Sequence, residues 1–164
     1  LTPTKGKITW VENAQLGYMP QDTHTQFEKK VDLFTWMSDW RAPSDGDEAV
    51  RATLGRLLFS GEEIRKSVTV LNGRKKGRMI YGKLMLTKPN VLLLDEPTNH
   101  MDMETIESLQ IAVEKYPGTL IFVSHDREFV SALATRIIEM KADGSIADYN
   151  GSYDEYLRAQ GVAV

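Results

Sequence analysis

Residues 91–102 have the sequence VLLLDEPTNHMD, which indicates the fold more strongly than the rest of the chain. Four apolar residues precede two adjacent carboxylates, Asp95 and Glu96, and Pro97 follows. A short apolar run bounded by proline is typical of a buried strand in a parallel sheet. Carboxylates at the end of such a strand lie at the carboxyl edge of the sheet, where open α/β folds bind ligands. The stretch therefore predicts an α/β fold with a ligand site at Asp95 and Glu96.

The composition is that of a globular domain without extreme charge. The 164 residues are 41% hydrophobic and 26% charged, as in an ordinary domain with its own core. A net charge of −3 gives no general electrostatic reason for nucleic-acid binding. The lack of cysteine excludes disulfides and thiolate metal sites and fits a reducing compartment. The sequence contains no apolar run of membrane-spanning length and no visible signal peptide, so we expect a cytoplasmic location.

Strands and helices are predicted to alternate in the second half of the chain, which indicates βαβ units. Strands are predicted at residues 7–11, 15–19, 91–94, 119–123, 136–140 and 145–149, and helices at residues 73–87, 104–115, 127–134 and 153–159. Between residues 31 and 70 the apolar spacing is helical. We expect one helix from Val31 to about Arg41 and another at residues 47–58, in a subdomain beside the sheet.

Polar residues that suit phosphate chemistry follow the predicted strands. Asp95 is placed to hold Mg²⁺, directly or through water, because an apolar strand ending in Asp serves this purpose in nucleotide-binding proteins. Glu96 can polarise an attacking water as a general base. His125 follows the strand at residues 119–123 and can contact a γ-phosphate, although a lone His before an Asp is also common at a helix cap. The Gln21 amide can reach a metal-bound oxygen, although an isolated loop Gln is normally only solvated.

These residues occur in the order found in ATP-binding cassette (ABC) ATPases. Gln21 resembles the glutamine of the Q-loop, and residues 71–73 resemble the signature motif. Residues 92–102 resemble the Walker B motif and the D-loop, and residues 124–126 contain a histidine that resembles the switch histidine. The strings DEPTNHMD, SHDREFV at residues 124–130 and YNGSYDEYL at residues 149–157 are similar to the ABC-F subfamily. Proteins of that subfamily have tandem cassettes and no membrane domains, and many act on ribosomes.

The resemblance covers nearly the whole chain. It implies a P-loop NTPase-like, mostly parallel sheet with a helical subdomain, in which residues 1–164 form the later part of one cassette, the second of a pair. It implies ATP and Mg²⁺ as cofactors, a second cassette as partner, and the ribosome or its RNA as a further partner. It assigns nucleotide contacts to Gln21, Asn72, Gly73 and Asp102, the metal to Asp95 and Gln21, and catalysis to Glu96 and His125.

The phosphate-binding loop of the family is missing from the sequence. In the family it lies before the residues that match residues 1–7, and this chain opens with Leu1, so we expect a fragment truncated at its N-terminus. Residues 77–83, GRMIYGK, have the loop spacing up to the Lys, but Leu84 stands where a hydroxyl is needed and no strand precedes them. Their apolar residues have helical spacing and predict a packed helix. We therefore expect the chain alone to be inactive and to bind ATP weakly at most.

The signature also departs from the family pattern. The family has Leu-Ser-Gly-Gly-Glu, and this chain has Leu-Asn-Gly-Arg-Lys at residues 71–75. Asn72 can still cap the helix. Arg74 adds bulk where glycine allows close approach, and Lys75 places a cation at a helix N-terminus, where the macrodipole disfavours it. These basic residues have two interpretations. Either an anion such as phosphate or RNA lies at this place, or the segment is a solvated basic helix start.

Four functions fit the sequence to different degrees. The first is a hydrolysing cassette of an ABC-F protein that works on the ribosome. The alternatives are a non-hydrolysing cassette fragment that acts as an interaction module, and an ATP-binding subunit of a transporter. A cassette ATPase of DNA repair or chromosome maintenance is disfavoured, because those proteins carry long coiled-coil insertions that this sequence lacks.

Overall fold

The apolar run before Asp95 forms the middle strand of a parallel sheet in the computed structural model. Strands β1 (Leu16–Met19) and β2 (Val91–Asp95) pair in parallel, from Leu16 opposite Val91 to Met19 opposite Leu94. A third strand, β3 (Thr119–Val123), completes the order β1-β2-β3. The α/β class with a parallel sheet is therefore confirmed.

The chain divides into two units. The structure describes residues 3–21, 24–99 and 101–162. The first unit consists of Leu1–His100 with Pro117–Phe122, and the second of Met101–Tyr116 with Val123–Val164. Within the described ranges, no helix combines the length and the apolar character needed to cross a membrane.

The first unit carries the helices α1 (Leu33–Ser38), α2 (Asp47–Arg56) and α3 (Gly73–Thr87). Short 3-10 helices lie at His24–Phe27, Glu63–Arg65 and Val68–Val70. Helix α1 begins where the Asp32 carboxylate accepts a hydrogen bond from the Thr35 N–H at 2.7 Å. Helix α3 begins where the Asn72 side-chain oxygen accepts from the Lys75 N–H at 3.0 Å. The predicted bounds of α3 are confirmed at both ends.

Helix α3 packs on one face of the sheet. Gly17 of β1 permits this approach, because a Cβ atom there would lie 2.6 Å from Cγ of Pro89 and 2.9 Å from Cδ2 of Leu84. The neighbouring side chains on this face are buried; they are Met19, Leu92 and Leu94. On the opposite face of β1, Leu16 and Tyr18 are 46% and 52% exposed.

The second unit contains α4 (Met103–Glu114), α5 (Arg127–Leu133), an antiparallel hairpin of β4 (Arg136–Met140) and β5 (Ile146–Asn150), and α6 (Tyr153–Ala159). Helix α6 begins with the predicted cap Ser152. The Ser152 hydroxyl accepts from the Glu155 N–H at 3.3 Å, and the Glu155 carboxylate accepts from the Ser152 N–H at 2.9 Å, which completes a capping box.

Two expectations for the first sixty residues are wrong. Residues 7–11 form no strand: Ile8, Trp10 and Val11 are 60%, 46% and 77% exposed, so the segment has no packed face to hold it in a sheet. The first predicted helix is also too long, since α1 has only six residues. The Ser38 hydroxyl at its end donates to the Phe34 carbonyl at 2.7 Å and competes with the helical hydrogen bonds.

Strand β5 begins one residue later than predicted. The Asp143 carboxylate accepts hydrogen bonds from the Ser145 N–H at 2.9 Å and from the Ser145 hydroxyl at 2.6 Å. These bonds keep Ser145 in the turn between β4 and β5, so the strand starts at Ile146.

Candidate nucleotide site

Gln21, Asp95 and Glu96 lie at the same edge of the sheet. Because Met19 is opposite Leu94 in the parallel register, the chain segments that leave β1 and β2 start side by side. Gln21 is the second residue after Met19, and Glu96 is the second after Leu94. Gln21 is exposed, Asp95 is half-buried and Glu96 is buried. The edge therefore presents an amide and two carboxylates from neighbouring strands.

Glu96 has an unusual backbone conformation. Its φ of 48° lies in the left-handed region, which non-glycine residues seldom adopt. Its carbonyl accepts a hydrogen bond from the Asn99 N–H at 3.1 Å, and Pro97 beside it is fully buried. Backbone strain of this kind costs about 1–3 kcal/mol and is concentrated at functional sites. The only local indication of this conformation is Pro97, which disfavours the right-handed helical region for the preceding residue.

The side chains at this edge are compatible with a magnesium–nucleotide complex. Mg²⁺ is usually held by one or two protein carboxylates together with phosphate oxygens and water. Asp95 ends an otherwise apolar strand and is partly open to solvent, which suits such a ligand. Within residues 3–21, 24–99 and 101–162, no group of three or more His, Cys, Asp or Glu side chains could hold a metal ion. The carboxylate of Asp95 at the end of β2 fits a metal that the substrate phosphates help to hold.

Gln26 and Phe27 are fixed to α1 and α3. Phe27 is 2% exposed and stacks on Trp36 of α1, with 4.9 Å between ring centroids. The Trp36 indole N–H donates to the Gln26 carbonyl at 3.0 Å, and the Lys83 ammonium donates to the Gln26 side-chain oxygen at 3.2 Å. Lys83 also lies 3.7 Å from the Trp40 ring centroid, and burial lowers its pKa. The sequence did not reveal this cluster, because its members lie far apart along the chain.

Three consecutive basic residues at the start of α3 have different surroundings. Arg74 is exposed. The Lys75 ammonium lies 2.5 Å from a carboxylate oxygen of Glu63. Lys76 is 8% exposed, and its ammonium lies 5.8 Å from the Phe27 ring centroid. A hydrogen bond from Lys75, then one from the Ser60 N–H, lowers the pKa of Glu63 to about 2.

Asn72 and Gly73 keep two features of a phosphate-contacting helix start. Asn72 caps the helix, as predicted, and nothing lies within 4 Å of the position that a Cβ atom on Gly73 would occupy. Gly73 is the first residue of α3, and backbone N–H groups at a helix N-terminus favour an anion. The pairing of Glu63 with Lys75 was not predicted, because a contact between residues twelve positions apart across a loop leaves no local pattern in the sequence.

Asp102 and His125 belong to the second unit. The Asp102 carboxylate caps α4, where it accepts from the Thr105 N–H at 2.9 Å and the Thr105 hydroxyl at 2.6 Å. His125 is exposed and lies between Ser124 and Asp126. Asp126 caps α5 by accepting from the Glu128 and Phe129 N–H groups at 3.0 and 3.1 Å. Helix capping at this position is therefore performed by Asp126, and His125 is held at the start of α5.

Residues 77–83, which have part of the phosphate-loop spacing, lie in the middle of α3. Met79, Ile80 and Leu84 are buried there. Gly82 lies against α1 and the end of α2: an added Cβ atom would be 2.4 Å from Cε of Met37 and 2.7 Å from Cδ1 of Leu57. The prediction of a packed helix is confirmed.

A parallel sheet that brings an Asp-Glu pair and a glutamine to its carboxyl edge defines an α/β protein of the nucleotide-binding class. The family model described as ABC transporter matches residues 1–99, more than half of the chain. The chain therefore belongs to the ABC transporter family, whose cassettes bind ATP.

Three relatives narrow this assignment. The chain is 55% identical over 162 residues to probable ATP-binding protein YbiT of Escherichia coli O157:H7, across 99% of this chain and 30% of that protein. It is 40% identical over 119 residues to ABC transporter F family member 5 of Arabidopsis thaliana, across 73% and 16%. It is 33% identical over 163 residues to energy-dependent translational throttle protein EttA of Haemophilus influenzae, across 94% and 28%. The ABC-F resemblance is confirmed, and the chain spans less than a third of these relatives' length.

The fold is similar to that of a solved structure, the complex of archaeal ribosomal stalk protein aP1 and archaeal ribosome recycling factor aABCE1. The TM-score is 0.74 at 21% identity, over 98% of this chain and 32% of that chain. At this identity the similarity establishes the cassette fold.

Proposed function

We propose that the chain is the later part of an ATP-hydrolysing cassette, with residues 31–70 as its helical subdomain, and that the whole protein acts in translation on the ribosome. The observation that supports the proposal is the parallel pairing of β1 with β2, because the segments that carry Gln21 and the Asp95–Glu96 pair leave neighbouring strands at the same edge of the sheet. The 164 residues alone are inactive in this proposal, because ATP binding needs a phosphate-binding loop and hydrolysis needs a second cassette.

Each residue at the sheet edge has a separate role in this proposal. Asp95 and Gln21 hold Mg²⁺, which neutralises charge on the transferred phosphate when it is bound. Glu96 accepts a proton from the attacking water as a general base. Its strained backbone and burial support this role, because a base held in one orientation needs no rearrangement during the reaction.

The remaining residues contact the nucleotide by analogy with the family. His125 contacts the γ-phosphate. Asn72 and Gly73 at the start of α3, together with Asp102, meet a nucleotide that the second cassette holds. The capped helix start and the open space at Gly73 support the α3 contact, since backbone N–H groups at a helix N-terminus favour phosphate.

The translational role rests on the relatives. EttA is named an energy-dependent translational throttle protein and aligns with nearly all of this chain. The family description, ABC transporter, supports the second candidate, an ATP-binding subunit of a transporter. Co-sedimentation of the whole protein with ribosomes separates the two. ATP-dependent co-sedimentation supports the first, and ATP turnover without any ribosome association supports the second.

Substitution of Glu96 tests hydrolysis. The experiment uses a longer protein in which a phosphate-binding loop precedes this chain and a second cassette is present. Glu96→Gln keeps shape but removes the base, so turnover should fall roughly 10²- to 10⁴-fold while bound ATP accumulates. Asp95→Asn should instead weaken Mg-ATP binding, because it removes the charge on the metal ligand. The exposed carboxylate Glu12 provides a control, and Glu12→Gln should leave both properties unchanged. Parental turnover in Glu96→Gln would show that Glu96 is not the general base.

A further inference from the structure

Asn90 joins the beginnings of the three strands of the parallel sheet. It follows Pro89 and directly precedes β2. Its side-chain oxygen accepts a hydrogen bond from the Gln15 N–H at 2.8 Å, and its side-chain amide donates to the Asn13 carbonyl at 2.8 Å. Its backbone N–H donates to the Gln15 carbonyl at 3.0 Å, and its carbonyl accepts from the Thr119 N–H at 3.0 Å. One residue therefore ties the segments that enter β1 and β3 to the start of β2.

The chemistry of an asparagine side chain suits these contacts, because its end carries both a donor and an acceptor. The partners are backbone groups, so an N–H faces the side-chain oxygen and a carbonyl faces the side-chain nitrogen. Asn90 is exposed, and a shorter side chain there would leave no cavity in the core. What a shorter side chain would remove is the connection to residues that lie 75 and 77 positions earlier in the chain.

Two features fix the position of β1 along β2. Gly17 fixes the register in whole residues, because a Cβ atom there would lie 2.6 Å from Cγ of Pro89 and 2.9 Å from Cδ2 of Leu84. Gly17 does not prevent smaller shifts along the strand axis. Asn90 limits these shifts, since its side chain bonds the backbone before β1 at two points. Among the described strands β1 pairs only with β2, so no second neighbour holds it.

We propose that Asn90 is a positioning residue that sets the position of β1 along β2 and thereby aligns Gln21 with Asp95. This inference rests on the proposed function, in which Gln21 and Asp95 hold Mg²⁺. Asp95 ends β2, and only Pro20, whose ring restricts the backbone, separates Gln21 from the end of β1. Mg²⁺ demands near-ideal octahedral geometry. A shift of β1 much smaller than the rise of one residue, about 3.3 Å, therefore weakens metal binding.

The Mg²⁺ dependence of ATP turnover tests this role in the longer protein, which has a phosphate-binding loop and a second cassette. Asn90→Ala should raise the Mg²⁺ concentration for half-maximal turnover roughly three- to tenfold, because it removes support from a metal ligand. Turnover at saturating Mg²⁺ should stay within about twofold, since Glu96 follows β2 directly. Asn13→Ala is the matched control and should change neither value. Asn13 is also exposed, and within the described ranges only its backbone carbonyl contacts Asn90.

A double substitution shows whether Asn90 acts through Gln21. Gln21→Ala should raise the Mg²⁺ concentration for half-maximal turnover, and adding Asn90→Ala should raise it no further, because residues that act on one ligand are not additive. Asn90→Asp keeps the acceptor for the Gln15 N–H but loses the donor to Asn13. It should also raise the Mg²⁺ requirement, and it serves if Asn90→Ala does not fold. Additive effects, or the same Mg²⁺ dependence in Asn90→Ala and Asn13→Ala, would overturn the proposal.

Hydrogen exchange in the 164-residue chain tests the contact without any nucleotide or metal. The Gln15 amide should exchange roughly tenfold faster in Asn90→Ala than in Asn13→Ala, because it loses its side-chain acceptor. Equal exchange overturns the role of Asn90 and leaves the ATPase proposal standing. A raised Mg²⁺ requirement in Gln21→Ala but not in Asn90→Ala has the same meaning. Parental Mg²⁺ dependence in Gln21→Ala overturns the metal assignment of Gln21, and the alignment proposed for Asn90 is overturned with it.

Discussion

At the scale of single residues, Glu96 carries costs that the fold itself does not require. A left-handed backbone at a non-glycine residue is unfavourable, and glycine would join β2 to the turn that follows with less strain. Such strain is concentrated at functional sites, which is why Glu96 rather than Asp95 is proposed as the catalytic base.

Glu63 should make the stability of the chain depend on pH. Its pKa is lowered from 4.5 to about 2 by Lys75 and Ser60. A lowered folded-state pKa gives stability that is present above the unfolded pKa and lost as the pH falls toward 2. Glu63→Gln should thus lower the free energy of unfolding by about 0.5–1 kcal/mol at pH 7, a value suited to a pair partly exposed to solvent. The difference from the parent chain should vanish as the pH approaches 2.

Urea denaturation between pH 2.5 and pH 7 measures this difference. The control Glu62→Gln removes an adjacent carboxylate that has no contact with Lys75 and should shift stability much less at every pH. A Glu63→Gln deficit of constant size over the whole range would show that the ion pair contributes nothing through charge.

At the scale of elements, the packing of α3 against α1 requires a glycine at one position. A Cβ atom at Gly82 would overlap with Cε of Met37, a residue with no exposed surface, so the core would have to shift. Gly55, in α2, faces open space. Gly82→Ala should therefore lower stability by about 1–2 kcal/mol despite its better helix propensity, since overpacking outweighs it. Gly55→Ala should raise stability by about 0.5–1 kcal/mol.

Equilibrium unfolding in urea compares these two alanine variants. Both substitutions change the same residue type within a helix, so the helix-propensity term is common to both and cancels in the difference. Gly82→Ala as stable as Gly55→Ala would indicate that Met37 and Leu57 can move aside without cost.

Elements whose ends are encoded locally were predicted well. Asn72 and Pro89 bound α3 and Ser152 begins α6, and in each case a side chain or ring acts on backbone groups a few residues away. The position of Asp95 at the sheet edge was predictable, because a short apolar run bounded by proline has few alternatives to a buried strand in an α/β sheet. The strand predicted at residues 7–11 was wrong, because a strand requires a partner elsewhere in the chain. The pair Glu63–Lys75 likewise depends on a contact between separate segments of the chain.

At the scale of the whole chain, the sheet of the first unit exposes apolar side chains. Leu16 and Tyr18 project from β1 on the face opposite to α3, and each is about half exposed. Among the described strands β1 is also an edge of the sheet, so one side of its backbone is open to pairing. Contiguous exposed apolar surface and an open strand edge both favour association.

The 164-residue chain should therefore self-associate as its concentration rises. Replacing Leu16 and Tyr18 with Lys should reduce the apparent mass measured by light scattering, because charges on this face and edge oppose pairing. The matched control replaces Leu58 and Val70, which are 52% and 70% exposed but lie outside the sheet. If exposed apolar area alone drives association, both double variants should reduce it equally. If the sheet face is responsible, only the β1 variant should, and a parent chain that stays monomeric at high concentration would contradict both explanations.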